Sequence, residues 1–162
     1  MRLSLAAALI ASLALPASAS ALPPFSTAAK TSSGSAFQSE LFGSRAACHA
    51  TFDRFVVDAR AAKPGYNVRY VNRIIADGSG DTVSLLGTKR IRFIVPSGRA
   101  HTEGGAPLLR RTITPGCPNL RQIKIAGDFE GVVTFGLGLR RRTGFRAFRL
   151  TAPARIVIDV AH

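Results

Sequence analysis

"GDFEGVVTFGLGLRRR", Gly127 to Arg142, is the stretch that decides how this chain folds. It sets two carboxylates two positions apart, strings glycines through a hydrophobic run and ends on three arginines. As a loop, it would offer a carboxylate pair or a glycine turn for a phosphate. As a strand, Gly127–Gly131 is an entry turn, Val132–Leu139 a buried run and Arg140–Arg142 a charged exit. A phosphate-cradling G-x-G-x-x-G opens a helix, and no helix start follows "GLGL". Asp128 and Glu130, if on one strand, share a face at about 6.5–7 Å, a separation open to an acid/base pair. Such a pair needs one carboxyl with a raised pKa, whereas nearby Arg140, Arg141 and Arg142 would hold both ionised. The chain also has no Trp and only two Tyr to stack a sugar ring. The strand reading stands.

The rest of the chain has the same grammar. "TFDRFVVDAR" (Thr51–Arg60) puts Phe55, Val57 and Ala59 on one face, opposite Arg54, Asp58 and Arg60. Pro64-Gly65 suits the centre of a type II turn. "YNVRYVNRIIA" follows, with Val68, Tyr70 and Ile74 at even spacing; "DGSGD" (Asp77–Asp81) then turns the chain into "TVSLL" as a hairpin. "RIRFIV" alternates Ile91, Phe93 and Val95 with Arg90 and Arg92. Pro96 to Pro118, rich in Gly and Pro, reads as a long loop. "RQIKIAG", "GVVTFGLGL", "GFRAFRL" and "RIVIDV" complete about eight short strands. No segment beyond the leader has a capped 3.6-residue period, so the prediction is an all-β fold, a two-sheet β-sandwich.

The N-terminus reads differently. A positive Met1-Arg2, the apolar run Leu3–Leu15, Pro16 and small residues around Ala19 and Ala21 form a signal-peptide pattern over residues 1–21. The run falls short of the about 20 apolar residues that span a bilayer, and no later segment is longer, so no membrane span is expected in the mature chain. Residues 22–46, dominated by Ser, Ala and Thr, predict a flexible spacer, leaving 47–162 as one domain.

The formal charge is +13, an excess that attracts polyanions. After export, those partners are cell-wall polymers, anionic lipid headgroups or acidic proteins rather than nucleic acid. Cys48 and Cys117 form an even pair, which in an exported chain predicts a disulfide. Closing a loop of about 70 residues stabilises a fold by roughly 4 kcal/mol in the chain-entropy model.

Other chemistries lack their parts. There is no G-x-S-x-G elbow. His49, His101 and His162 are isolated and lack zinc-ligand spacing. Cys48 and His49 are adjacent, so in extended chain they point to opposite faces. "DGSGD" has Asp77, Ser79 and Asp81 at calcium-loop positions, but Thr82 and Thr88 stand where that loop needs Gly and Glu. No catalytic residue, metal or cofactor is predicted.

"FDRFVVDAR", "PGYNVRYV", "GDFEGVVTFGLGL" and "APARIVIDV" follow one another in the order and spacing of the AMIN-like domain, which the chain resembles over about His49–His162. The resemblance implies a β-sandwich of exported proteins with a non-catalytic, localising role, related to the AMIN domains beside cell-wall amidases and in secretins. No amidase or secretin domain accompanies it here, and no lipid-attachment cysteine stands near the cleavage site. The expected function is a secreted envelope-binding module for peptidoglycan or another anionic wall polymer. The alternatives are an extracytoplasmic protein-interaction domain and, behind it, a small secreted hydrolase. The expected ligand-binding residues are Asp53, Arg54, Asp128 and Glu130, with Arg69, Arg73, Arg90 and Arg92 as a basic face. The expected partner is a wall polymer or an envelope protein.

Overall fold

Chain alternation becomes two facing sheets in the computed structural model, which describes residues 21–35, 38–60 and 63–162. The predicted signal peptide lies outside these residues apart from Ala21. Among the described residues there are eleven strands and no helix: β1 (Lys30–Ser32), β2 (Ser39–Cys48), β3 (Phe52–Ala59), β4 (Tyr66–Val71), β5 (Lys89–Pro96), β6 (Gly98–Arg99), β7 (Thr112–Ile113), β8 (Leu120–Phe129), β9 (Val132–Leu139), β10 (Phe145–Thr151) and β11 (Ala154–Ala161). One sheet runs β1-β4-β5-β9-β8-β7 and the other β10-β11-β3-β2-β6. The neighbours pair antiparallel except β2 with β6.

The predicted two-sheet architecture holds, with more strands than the expected eight. Alternation sets the core. Ile91, Phe93 and Val95 of β5 and Phe135, Leu137 and Leu139 of β9 point inward, all at most 1% exposed. Opposite them, β3 contributes Phe55 and Val57, and β11 contributes Ile156, Ile158 and Val160. Phe93 and Phe135 are register partners stacked at 5.1 Å, and Phe55 meets them edge-on at 6.3 and 5.6 Å. Edge-to-face packing suits the ring quadrupoles and adds about 0.5–1.5 kcal/mol per pair beyond burial. The Tyr66 hydroxyl donates across the core to the Ala147 carbonyl at 3.1 Å, joining the sheets through a buried hydrogen bond.

The glycines of "GLGL" have a packing role. Gly136 and Gly138 face outward between the inward Phe135, Leu137 and Leu139. The segment from Asn72 to Thr88 folds back over this outer face, burying Ile74 and Leu85 with Ala126 in a second small core. A Cβ at Gly136 would stand 3.0 Å from both Ile74 and Leu85, and one at Gly138 would overlap the Leu86 carbonyl oxygen. The bare backbone is therefore a seat for a folded-back segment. Ile74, expected to extend the β4 alternation, instead leaves β4 and packs on the opposite side of the same sheet. "TVSLL" forms no strand, only the isolated Ile75–Thr82 bridge of the turn.

Two further expectations change. Residues 22–46, predicted as a flexible spacer, hold β1 and most of β2, and Ser26 bridges Phe145. Ser, Ala and Gly alternate poorly with polar residues, yet small side chains suit a strand crossed closely by neighbours. Leu41 at 0% exposure fixes the register of β2 against β3. The expected long loop from Pro96 to Pro118 contains β6 and β7, because a kink at Ser97 (φ 55°) carries the chain from β5 to pair with β2.

Cys48 and Cys117 form the predicted disulfide, at a Cα separation of 5.3 Å. It ties the end of β2 in one sheet to the segment entering β8 in the other.

Candidate functional site

The residues expected to share a ligand surface do not meet on one. Asp53 on β3 is 0% exposed. Its Oδ2 accepts the Asn119 and Leu120 amides, both at 2.7 Å, and its Oδ1 faces His162 Nε2 at 3.4 Å. That carboxylate caps the entry to β8 and is out of a ligand's reach. A ligating atom of Asp53 also lies within 4.8 Å of those of Cys48 and Cys117. The disulfide consumes the thiolates that a metal would require. Arg54 points to the outer face of the five-stranded sheet, where Nε and Nη2 clasp the buried Asp159 at 2.6 and 2.9 Å. Arg146 Nε adds a third bond to Asp159 at 2.7 Å. The hydrogen bond to Asp159 raises the Arg54 pKa above its ordinary value. Both guanidiniums also stack between Phe52 and Phe148. This cluster holds β3, β10 and β11 together.

Asp128 and Glu130 part company at the end of β8. Glu130 (φ 48°) and Gly131 (φ 76°) are the two-residue turn between β8 and β9, the double left-handed geometry that matches hairpin twist. Glu130 therefore leaves the strand and projects to solvent, so the two acids do not share a strand face. Asp128 remains on β8, accepting the Ala100 amide on Oδ1 at 3.1 Å and meeting His101 Nδ1 with Oδ2 at 2.7 Å. Arg140–Arg142 lie at the far end of β9, roughly 20 Å of strand away, and His101 is the side-chain partner instead.

Asp128 and His101 border an open cleft of about 650 Å³ between the turn at Asp77-Gly78 and the loop through Gly105 and Pro107, with Arg111 alongside. Phe129, 65% exposed, stands at its rim. A ring held by a carboxylate through Nδ1 presents Nε2 outward, an arrangement able to bind or to move a proton. No Ser, Thr or Cys lines the cleft among the described residues. Sequence spacing gave no sign that His101 and Asp128 would meet, because loop and strand bring them together.

The basic residues divide by sheet. Arg45, Arg54, Arg60, Arg99 and Arg146, all in or beside the five-stranded sheet, pair with Asp58, Asp159 or Glu40. On the six-stranded sheet, β4, β5, β8 and β9 carry Arg69, Lys89, Arg90, Arg92, Arg121 and Lys124 and a single carboxylate, Asp128. None of those six cations has an ion-pair partner among the described residues. Arg69 and Arg92 are direct cross-strand partners, and Arg90 follows two residues along β5 on the same outer face. Arg92 Nε is buried with no hydrogen bond. Arg73 is exposed just beyond β4. The structure thus gathers three of the four predicted face arginines on one surface, away from Asp53, Arg54 and Glu130.

No curated protein and no solved structure matches the chain. A family model does, over residues 39–162, starting with the first residue of β2 and running to the end of β11 and beyond. By that match, which takes in every strand but β1, together with the cleft and the basic surface, the chain belongs to the AMIN-like domain family.

Proposed function

We propose that this protein is a secreted, non-catalytic binding module of the cell envelope that holds an anionic wall polymer, peptidoglycan among them, against its six-stranded sheet. AMIN-like domains are generally non-catalytic binding modules of extracytoplasmic proteins. No helix among the described residues is long and apolar enough to cross a membrane.

The division of charge carries the reading. Three carboxylates pair with five arginines in or beside one sheet, where only Arg149 and Arg155 of its strands lack an ion pair, while none of the six cations on β4, β5 and β8 of the other sheet has one among the described residues. Like charges directly opposite on neighbouring strands destabilise a sheet, so Arg69 beside Arg92 opposes folding when the protein is alone. An anion laid across that face removes the repulsion and gives Arg92 a partner. The row of cations along β4 and β5, beside the part of the outer face that the segment from Asn72 to Thr88 covers, fits an extended polymer better than a small molecule.

Cosedimentation with purified cell wall at rising salt tests this. Charges on an exposed face are screened over about 10 Å at 0.1 M salt, so retention should be strong at low ionic strength and fall steadily with salt. Absence of retention at the lowest salt would overturn the proposal.

A further inference from the structure

The exit of β9 and the entry of β5 lie at the same end of the six-stranded sheet, where Lys89 pairs with Leu139. The backbone there is tightly held. Thr88 donates its amide to the Leu139 carbonyl at 2.8 Å and its hydroxyl to the Arg140 carbonyl at 2.7 Å. Leu86 N donates to Gln122 Oε1 at 3.2 Å, and the Arg140 and Arg141 amides donate to Asn119 at 2.8 and 3.0 Å.

Two hollows share Thr88 as a wall. One, of about 220 Å³, is lined by Lys89, Arg90 and Arg142 with Asn72. The other, of about 400 Å³, is lined by Arg121 and Arg140. No carboxylate lines either. Two of these arginines are positioned in advance. The Arg142 guanidinium rests on the Tyr70 ring at 4.3 Å. That phenol is locked in turn, donating to the Thr143 carbonyl at 2.7 Å and accepting its amide at 3.1 Å. Arg121 spends one N–H on the Cys117 carbonyl at 3.1 Å. A guanidinium has five N–H donors, so both keep most of theirs for a ligand.

We propose that these hollows recognise phosphate groups. The inference rests on the reading of the six-stranded sheet as a polyanion face and adds which anion it takes. A carboxylate carries one charge on two oxygens, and one arginine fork satisfies it. Five cations with no counter-charge of their own match a run of anionic groups, and tetrahedral phosphate, unlike planar carboxylate, can turn its oxygens to donors on more than one side at once. Planar arginine forks also fit phosphate oxygens two at a time. Both a phosphodiester wall polymer and a phospholipid headgroup supply this chemistry.

Calorimetric titration of the protein with poly(glycerol phosphate), phosphatidylglycerol vesicles, inorganic phosphate and polygalacturonate separates the possibilities. The phosphate polymer or the vesicles should bind at least about tenfold tighter than the polycarboxylate at matched charge, the difference of about one additional charge-assisted hydrogen bond per bound group. Whichever of the two binds identifies the source, and inorganic phosphate should compete with it. Arg142→Gln and Arg140→Gln should each weaken that binding about tenfold, with unchanged melting temperature. Arg110→Gln, outside both hollows, should change it less than about twofold. Equal binding of polycarboxylate, or an equal loss from Arg110→Gln, overturns the phosphate site. Wall retention that is salt-sensitive would survive that result, whereas phosphate binding without any wall retention would overturn the wall reading instead.

Discussion

Replacing Gly138 by alanine asks whether "GLGL" is a packing seat. Gly138 has no positive φ, so alanine can adopt its backbone, and the lost glycine freedom would by itself stabilise by about 0.5–1 kcal/mol. The new methyl, however, would overlap the Leu86 carbonyl oxygen and stand 3.0 Å from Leu85 Cβ, where ordinary contact is 3.4–4 Å. The obstacle on one side is backbone, so the segment carrying Leu85, Leu86 and Thr88 must rise. Overpacking of this kind costs about 1–3 kcal/mol, and partial exposure of Leu85 adds about 1 kcal/mol against the 1.5–3 of full burial. Net of the backbone gain, Gly138→Ala should lose about 2 kcal/mol, or about 8 °C in Tm for a domain of this size. Gly78→Ala is the control, since nothing lies within 4 Å of its Cβ position; it should stay within about 0.5 kcal/mol of wild type. Urea unfolding followed by far-UV circular dichroism reads both. If Gly138→Ala matches Gly78→Ala, the seat is not a constraint and the packing account fails.

Other perturbations probe separate parts of the fold. Removing the disulfide as Cys48→Ala with Cys117→Ala opens a cross-link of sequence separation 69; urea midpoints should report a loss of about 4 kcal/mol, and a loss under about 1 would contradict its role in joining the sheets. Asp159→Asn leaves Arg54 and Arg146 without their buried carboxylate and should cost about 3 kcal/mol; near-neutral unfolding curves would show that the aromatic stacking alone holds the cluster. Hydrogen bonds from Arg60, and then Arg99, hold the Glu40 pKa below its ordinary 4.5. A depressed folded value means that this contribution is complete above the unfolded value and is lost as pH falls through the folded one. Wild-type stability should therefore fall more steeply below pH 4.5 than that of Glu40→Gln, and parallel profiles would refute the pairing.

What the sequence disclosed follows from what alternation can encode. It identified β3, β5, β9 and β11, because Phe55, Ile91, Phe93 and Ile158 mark an inward face within a single strand. It pointed to the cysteine pair through compartment and number. It could not disclose that Ile74 crosses to the other side of the sheet, since even spacing looks the same whether or not a strand has ended. Small residues hid β2, whose inward Leu41 stands among Ser, Gly and Ala. At the site, the chemical character of Asp53 and Arg54 suggested a ligand, but their partners, the amides of Asn119 and Leu120 and the carboxylate of Asp159, are distant in sequence. His101 and Asp128 were separately visible and became a pair only through the loop between β6 and β7. The charge division was invisible for the same reason: composition gives the excess of arginine, and only the sheet order tells which arginines have carboxylates beside them.

That division is tested most directly by moving equal charge from two places. Arg69→Gln with Arg90→Gln and Arg92→Gln clears three cations from the outer face of the six-stranded sheet. Lys63→Gln with Arg110→Gln and Arg155→Gln removes the same charge elsewhere without touching an ion pair. In cosedimentation with purified cell wall at low salt, the first variant should lose most of its retention and its salt dependence, while the second should behave like wild type. Equal losses from both would mean that net charge, rather than this sheet, attracts the wall, and would contradict the account.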